Sequence, residues 1–345
     1  MKTQAAVLRS LNADLEIWDL EIPPLAYGQV LVEIAYSGVC RTQLNEIKGY
    51  RGPDRYLPHT LGHEGSGIVQ EIGKGVVKVK PGDAVVLSWI KGSGIDAGGC
   101  KYGSSNGLVN SGPISTFMQY GVISENRIAT ISKKLPLREA ALLGCALPTG
   151  AGVVFNQLQI TKGCSLAVFG AGGVGLSAIV AAKYLEANPI VVVDISDEKL
   201  HHAQSMGATH FINSLTNNPV LVIQEITKGK GIDRVLECVG RREAMEAAFQ
   251  STSSQGICII AGNLPKGQKI EIDPFDLIAG KKIDGSWGGK SDIERDMSRY
   301  TEMIMKNDLS ISRLITHEAP LEKINELLSL LEGGQVGRAI VSFNK

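Results

Sequence analysis

Apolar positions follow two different patterns along this chain of 345 residues. From residue 1 to about residue 150, short apolar or alternating runs are separated by Gly, Pro and Asp, which is typical of β-strands joined by turns. Five runs predict strands: Ala5–Leu8, Leu15–Asp19, Gln29–Tyr36, Gly67–Ile72 and Asp83–Trp89. The first part of the chain is therefore predicted to be β structure.

From about residue 163 to residue 287, strand-like and helix-like patterns alternate, which implies a parallel, doubly wound sheet. The predicted strands are Ser165–Phe169, Pro189–Asp194, Ile232–Glu237 and Gly256–Ala261, and the predicted helices are Val174–Ala187, Asp197–Met206, Val220–Lys228 and Arg242–Ser251. The remainder predicts helices at Ser291–Lys306 and Leu321–Glu332 and a strand at Arg338–Phe343. This pattern alone does not show whether the last part returns to the first domain.

A glycine-rich turn stands between the first of these strands and the helix after it. It has the spacing G-x-G-x-x-G, and in a strand–turn–helix context this spacing predicts dinucleotide binding. The first glycine permits a tight turn, the second lets the backbone approach a pyrophosphate, and the third lets helix and strand pack closely. Backbone N–H groups at the helix start favour phosphates. The residues concerned are Gly170, Gly172, Gly173, Val174 and Gly175.

The next strand ends in Asp194, about 20 residues beyond the glycines, where a carboxylate can accept hydrogen bonds from the adenosine ribose. Its charge would repel a 2′-phosphate, so NAD is favoured over NADP. Ile195 follows, and Lys199 is placed to flank the same ribose. A structural turn with a solvated aspartate is the weaker alternative, because the whole βαβ context is present.

Composition narrows the function further. The 35 basic and 35 acidic residues balance, and without a Lys/Arg-rich run nothing points to nucleic acid. No apolar stretch is long enough for a membrane span, and the N-terminus lacks the apolar core of a signal peptide. Six cysteines are too sparse for a disulfide scaffold, which favours a reducing, cytoplasmic location.

Three residues of the kinds that bind zinc lie in glycine-punctuated segments: Cys40, His63 and Cys145. Thiolate and imidazole are preferred zinc ligands. The three residues are far apart in the chain, and spacing alone does not show that they converge. A buried apolar role for each cysteine and a loop role for the histidine therefore remain open at this point.

Taken together, the motifs resemble those of the zinc-containing alcohol dehydrogenases of the medium-chain dehydrogenase/reductase superfamily. Gly62–Val76 is similar throughout to that family's zinc signature, and Gly38–Thr42, Pro81–Asp83, Leu143–Gly150 and the glycine turn follow in the family's order. The resemblance covers essentially the whole chain. It implies an α/β plus β fold, with a GroES-like catalytic domain (1–146 and 288–345) and an inserted Rossmann domain (147–287) that has a doubly wound parallel sheet and binds NAD.

The resemblance also implies roles for individual residues at a metal site. Cys40, His63 and Cys145 correspond to the ligands of one catalytic Zn²⁺ per subunit. Glu64 corresponds to an acid near the metal that can join its ligands transiently. Thr42 corresponds to the hydroxyl that accepts the substrate proton.

Further positions correspond to cofactor and substrate contacts. Arg41 and Arg338 match arginines that face the pyrophosphate, and Thr149 matches a residue against the nicotinamide. Trp89 matches a wall of the substrate pocket. The alternative for each arginine is a solvated surface cation, and the alternative for Trp89 is a place in the core.

Two departures from the family pattern concern the metal site and the proton path. Gln43 stands where the family often has an acid that supports the ligand histidine, and Asn45 stands where the relay ends in histidine. A neutral amide makes the imidazole less basic, which predicts lower zinc affinity or turnover. Asn cannot take up a proton near neutral pH, so the proton must leave through water or another group.

A third departure concerns the lobe that in most relatives holds a structural zinc through four cysteines. Here Ala97, Gly103 and Ser111 stand at three of those positions, and only Cys100 remains. One thiolate cannot make a closed tetrahedral site, so we expect no structural zinc.

The function implied by this resemblance is hydride transfer between a small-molecule alcohol, or an aldehyde or ketone, and NAD(H). A homodimer or homotetramer formed through the Rossmann sheet edge is expected. A polyol or sugar dehydrogenase is an alternative, although such enzymes often have Glu as the third ligand. A non-catalytic NAD-binding protein and a zinc-free quinone reductase are alternatives of other kinds.

Overall fold

The computed structural model describes residues 1–50, 52–265, 267–305, 311–335 and 337–343. These residues form two compact units. The first contains residues 1–145, 292–305 and the described residues from 315 onward, and the second contains residues 146–291 and 311–314. The first unit therefore includes both ends of the described chain.

The elements of the described residues follow in chain order. Up to residue 145 they are β1 (Lys2–Leu8), β2 (Glu16–Glu21), β3 (Gln29–Val39), α1 (Arg41–Ile47), β4 (His59–Thr60), β5 (Glu64–Ile72), β6 (Ala84–Ser88), β7 (Lys101–Ser104), β8 (Gly107–Asn110), β9 (Tyr120–Ser124), β10 (Ile128–Thr130) and α2 (Leu137–Ala140), with 3₁₀ turns at Glu125–Arg127 and Ala141–Gly144. Then come α3 (Ala146–Gly152), a π-helical turn (Val153–Gln157), β11 (Leu166–Phe169), α4 (Gly173–Tyr184), β12 (Ile190–Asp194), α5 (Asp197–Met206), β13 (His210–Asn213), α6 (Pro219–Ile226), β14 (Ile232–Glu237), α7 (Arg242–Gln250), β15 (Thr252–Ile260), α8 (Pro274–Ile278), β16 (Lys282–Gly285) and a 3₁₀ turn (Gly288–Lys290). The last are α9 (Met297–Met305), a 3₁₀ turn (Ile311–Leu314), β17 (Ile315–Pro320), a 3₁₀ turn (Leu321–Lys323), α10 (Ile324–Glu332) and β18 (Arg338–Ser342).

The first unit is built from a small barrel and a sheet. The barrel order is β1-β2-β7-β8-β4, and the sheet order is β10-β6-β5-β3-β18-β17, with β9 also paired to β3. Inward side chains from both, such as Leu20, Val32 and Val85, share one buried cluster, and each contributes about 1.5–3 kcal/mol by leaving water. Strand β18 pairs antiparallel with β3. The C-terminal part thus returns to the first unit, which the sequence pattern alone did not determine.

The second unit is a parallel sheet in the order β13-β12-β11-β14-β15-β16. Numbered within the sheet, this is the order 3-2-1-4-5-6 of a dinucleotide-binding fold, with its switch point between β11 and β14. Both strands at the switch point carry buried apolar residues, as parallel strands covered on two faces require. The predicted doubly wound sheet is confirmed.

Some predicted boundaries are wrong. The helix expected at Ser291–Lys306 begins only at Met297, and Lys306 lies outside the described residues. Oδ1 of Asp292 accepts the backbone N–H groups of Glu294 and Arg295 at 2.9 and 2.8 Å. These bonds have the pattern of an N-cap, so the helical pattern does not extend back to Ser291.

Smaller differences affect other elements. The helix expected to reach Ala187 ends at Tyr184, before Glu186, whose φ of 56° does not continue a right-handed helix. The strand expected from Gly256 already begins at Thr252. The helix expected over Leu321–Glu332 starts as a single 3₁₀ turn.

Across the described ranges, no single helix is both long and apolar enough to cross a membrane, and one bent helix pair meets the length and composition required.

Candidate functional site

Cys40 lies between strand β3 and helix α1, at the helix N-cap. Its backbone is extended, with φ −114° and ψ 150°, and its N–H donates to Oε1 of Gln43 at 2.8 Å. The side chain of Gln43 thus satisfies the N-cap N–H of the helix, and Cys40 is held at a helix N-terminus, where a thiolate is favoured.

The glycines that precede His63 and Cys145 in the chain both lie very close to neighbouring atoms. Gly62, with φ 95°, precedes His63, and a Cβ there would lie 2.4 Å from Oγ1 of Thr116. Gly144 precedes Cys145, and a Cβ there would lie 2.2 Å from the Leu87 carbonyl oxygen. Only glycine fits either position without displacing its neighbour. The glycine before each candidate ligand thus allows the close packing of the backbone that positions it.

The structure brings Cys40, His63 and Cys145 together. Their ligand atoms all lie within 4.8 Å of one another, and Nε2 of His63 is 3.3 Å from Sγ of Cys145. Two thiols and one imidazole are a donor set that zinc prefers, and three protein ligands leave the fourth tetrahedral position for substrate. The residues present therefore fit a catalytic zinc ion.

The electrostatic surroundings favour the metal-binding form of Cys40. A hydrogen bond with Cys145 is the largest influence, and it holds the pKa of Cys40 well below its ordinary value. Burial opposes this effect, and the positive charge of Arg338 adds to it. A lowered thiol pKa means that the thiolate, the form that binds metals, is present near neutral pH.

Glu64 and Arg338 form a buried ion pair within the first unit. Their side chains are 0% and 6% exposed, and the guanidinium contacts the carboxylate directly. Arg338 is thus not a solvated surface cation, because its charge is matched by the acid next to His63.

Three further residues were predicted to contact the proton, the cofactor or the substrate. Oγ1 of Thr42 lies 3.8 Å from Sγ of Cys40, which places the hydroxyl beside the ligand set. Arg41 is exposed as the first residue of α1. Trp89 follows β6 and is half-buried, and its backbone carbonyl accepts a hydrogen bond from Arg127.

In the second unit, the glycine turn has the conformation that its spacing predicts. Gly170 has φ 100°, and a Cβ on Gly175 would lie 1.8 Å from the Gly170 carbonyl oxygen. Gly172 is the N-cap of α4, and a Cβ there would meet no atom within 4 Å. The space beside Gly172 and the helix N-terminus behind it fit a dinucleotide pyrophosphate.

Asp194 has an additional role that the sequence did not reveal. Its Oδ2 accepts the N–H of Ala171, inside the glycine turn, at 2.7 Å. Its Oδ1 accepts the N–H groups of Ile195 and Ser196 at 2.8 and 3.1 Å. The carboxylate therefore braces the turn as well as ending strand β12.

The remaining residues predicted to contact the cofactor lie in helices or loops of the second unit. Lys199 is half-buried in the first turn of α5, and Thr149 is half-buried in α3. The side chain of Ile195 is 55% exposed.

Cys238, which no sequence motif singles out, also contacts the glycine turn. Its Sγ lies 3.0 Å from the Phe169 carbonyl oxygen and 3.3 Å from that of Gly170. Burial raises the pKa of Cys238 well above its ordinary value, so the thiol keeps its proton and can donate. The one feature of the sequence that points to this contact is the position of Cys238 directly after strand β14.

The lobe at residues 97–111 contains a hairpin, in which Tyr102 lies opposite Val109. Burial raises the pKa of Cys100, the one cysteine in this lobe, to about 11. Within the part of the chain that the structure describes, neither cluster of potential metal ligands includes a residue of this lobe.

Comparison with known proteins covers both units. Residues 26–133 match the alcohol dehydrogenase GroES-like domain, and residues 173–304 match the zinc-binding dehydrogenase family. The chain is 32% identical to an S-(hydroxymethyl)glutathione dehydrogenase of Escherichia coli O6:H1, over 99% of this chain and 100% of that protein. An S-(hydroxymethyl)glutathione dehydrogenase of Synechocystis is also 32% identical to this chain, again over 99% of this chain and 100% of that protein.

Solved structures agree over the full length. The alcohol dehydrogenase zinc-binding domain protein from Burkholderia ambifaria has a TM-score of 0.92 at 30% identity, and benzyl alcohol dehydrogenase from Acinetobacter calcoaceticus has 0.91 at 31%. Each comparison covers 100% of both chains. The predicted combination of a GroES-like domain and a Rossmann domain is thereby confirmed, and the chain belongs to the zinc-containing alcohol dehydrogenase family of the medium-chain dehydrogenase/reductase superfamily.

Proposed function

We propose that this chain is a zinc- and NAD-dependent alcohol dehydrogenase or carbonyl reductase. The observation that carries this proposal is the convergence of two thiols and one imidazole within 4.8 Å in a member of a zinc-dehydrogenase family. In this proposal residues 1–146 and 288–345 are the catalytic domain, and residues 147–287 bind NAD. The metal ligands are Cys40, His63 and Cys145, with Glu64 as a transient fourth ligand.

When bound, zinc would supply a Lewis acid that stabilises negative charge on the substrate oxygen, and NAD(H) would accept or donate the hydride. The chain itself must hold and move the proton. In this proposal the Thr42 hydroxyl, 3.8 Å from Sγ of Cys40, accepts it from the substrate. Asn45 cannot accept it at neutral pH, so the proton passes from Thr42 to water or another group.

The cofactor contacts are proposed residue by residue. Asp194 binds the adenosine ribose, and its negative charge selects NAD over NADP. The remaining contacts are the turn residues Gly170, Gly172, Gly173, Val174 and Gly175, the ribose neighbours Ile195 and Lys199, the pyrophosphate arginines Arg41 and Arg338, and Thr149 at the nicotinamide. Trp89 is proposed as a wall of the substrate pocket.

Relatives suggest the substrate class. The names of two relatives give S-(hydroxymethyl)glutathione and benzyl alcohol as their substrates. Both compounds carry a primary alcohol group. We therefore propose a primary alcohol, or the matching aldehyde, as the substrate of this chain. Cys145 as the third ligand argues against a polyol or sugar dehydrogenase, which remains the second candidate.

NADH formation measured with benzyl alcohol, S-(hydroxymethyl)glutathione and a polyol tests this function. Turnover should require both zinc and NAD. Thr42→Val should lower kcat/KM by about 10²–10⁴-fold, the usual scale for a lost proton-transfer group, whereas Thr42→Ser, which keeps the hydroxyl, should retain most activity. NAD binding without turnover of any alcohol would favour the non-catalytic alternative.

A cytoplasmic homo-oligomer is also proposed. All six cysteines are free of disulfides, as expected in a reducing compartment. Near the edge strand β16, Phe275, Ile278 and Trp287 have exposures of 69%, 80% and 80%. Large exposed apolar side chains beside an unpaired edge are suited to a subunit contact. Sedimentation analysis should give a dimer or tetramer, and Ile278→Lys should shift it toward monomer.

A further inference from the structure

A second group of potential metal ligands lies in the first unit, apart from the cysteine–histidine set. It consists of Glu46 on helix α1, Asp54 in the following loop and His59 on strand β4. One ligand atom from each lies within 4.8 Å of those of the other two. The three residues are neighbours through folding, because the loop after α1 brings β4 back beside the helix.

The hydrogen bonding of His59 leaves one ring nitrogen facing a carboxylate. His59 is only 7% exposed. Its Nδ1 is 3.0 Å from the Thr60 carbonyl oxygen, which can only accept, so the Nδ1 proton is committed to that bond. In a neutral imidazole Nε2 then has no proton and can only accept a hydrogen bond. It nevertheless lies 2.7 Å from Oδ2 of Asp54, which is also an acceptor. Two acceptors at this distance require a cation between them, either a proton or a metal ion.

The local charge favours a cation with more than one positive charge. Across the described ranges, no lysine or arginine nitrogen lies within 4.0 Å of a carboxylate oxygen of Glu46 or Asp54. Lys48, the nearest lysine along the chain, pairs with Glu332 at 3.1 Å. A protonated imidazole carries one positive charge against these two half-buried carboxylates, whereas a divalent cation balances both.

We propose that Glu46, Asp54 and His59 form a second divalent-cation site. Two carboxylates and one imidazole suit zinc or manganese, and a site without thiolate differs in kind from the cysteine–histidine set. Glu46 and His59 line one cavity, together with Gln43 and His63, so water has access to complete the coordination. A cation there ties α1, which carries Cys40 at its N-cap, to strand β4.

Manganese is the selective probe, because it prefers carboxylate and imidazole to thiolate. The full-length Cys40→Ser chain, stripped with a chelator, is titrated with Mn²⁺, and the free ion is followed by electron paramagnetic resonance. We expect one Mn²⁺ bound per chain. Zn²⁺ should displace it, since zinc binds such ligands more tightly than manganese does. The readout needs no turnover, so failure of this site and failure of the proposed dehydrogenase activity are separable.

Glu46→Gln should weaken Mn²⁺ binding by at least about tenfold, the lower end of what a lost supporting group costs a metal site. The matched control is Glu71→Gln, an exposed carboxylate on β5, which should bind as the parent does. Asp54→Asn provides a second variant if Glu46→Gln disturbs folding by circular dichroism. Absence of a bound ion, which would leave a proton on His59, overturns the proposal, and so does binding that neither variant weakens.

Discussion

The side-chain amide nitrogen of Gln43 lies directly against Nδ1 of His63. The amide oxygen of Gln43 accepts the backbone N–H of Cys40 at 2.8 Å. The amide N–H therefore points at the ring, and Nδ1 must accept it. In that tautomer the proton sits on Nε2, the nitrogen that faces Cys145.

Metal binding through Nε2 needs the ring proton on Nδ1. The amide must turn or lose its bond to Cys40 when His63 becomes a ligand. A carboxylate avoids the conflict, since one oxygen can accept from Cys40 and the other from Nδ1. We expect Gln43→Glu, which keeps the side-chain length, to bind zinc with about 10–100-fold higher affinity than the parent chain. This is the range seen for groups that orient a ligand histidine.

Zinc transfer to a chromophoric chelator measures this difference directly. Gln204→Glu is the control, because it makes the same change at an exposed position of α5. Equal zinc release from Gln43→Glu and the parent chain would show that the amide does not limit affinity.

Two glycines of the dinucleotide turn should respond differently to the same added methyl group. In Gly175→Ala the new carbon would lie 1.8 Å from the Gly170 carbonyl oxygen, whereas in Gly172→Ala it would meet nothing within 4 Å. We expect Gly175→Ala to lower the free energy of unfolding by about 1–3 kcal/mol, the usual cost of overpacking.

Gly172→Ala should fold as the parent does and yet lose NAD affinity, because its methyl group occupies the space left for the pyrophosphate. Urea unfolding and NAD titration by fluorescence separate the two effects. A Gly172→Ala chain that binds NAD normally would contradict the assignment of this turn.

The glycine turn could be predicted because all its determinants are local. Strand, turn and helix follow one another within Ser165–Tyr184, and their spacing specifies both conformation and ligand. The metal site could not be predicted in this way. His63 and Cys145 are 82 residues apart in the chain, and only the resemblance to a family, not their spacing, indicated that they meet.

Some elements of the fold could not be predicted because they depend on contacts that the hydrophobic pattern of the sequence does not contain. Strand β4 has only two residues, His59 and Thr60, too few for an alternating pattern to register. The return of β18 to the first unit depends on its pairing with β3. Asp292 sets the limit of a helical pattern by binding the next N–H groups with its own side chain, an effect that hydrophobic periodicity does not register.

The lobe at residues 97–111 provides a test of zinc content. Cys100 has a pKa of about 11 because it is buried, so at neutral pH it is a thiol and a poor metal ligand. We expect Cys100→Ser to keep the zinc content of the parent chain, measured by elemental analysis. Cys40→Ser should lose the zinc held by the cysteine–histidine set. Loss of zinc from Cys100→Ser would mean that the lobe binds metal after all.

Cofactor preference should depend on the charge of Asp194. Its carboxylate is held against the turn by the N–H of Ala171 at 2.7 Å, which fixes a negative charge at the position that we propose for the adenosine ribose. Asp194→Asn removes the charge and keeps the size. We expect the ratio of kcat/KM for NADP to that for NAD to rise about tenfold, equivalent to about 1.4 kcal/mol. Asp197→Asn changes the charge nearby, on α5, and should leave the ratio unaltered. If both variants shift it equally, general electrostatics rather than a contact at Asp194 selects the cofactor.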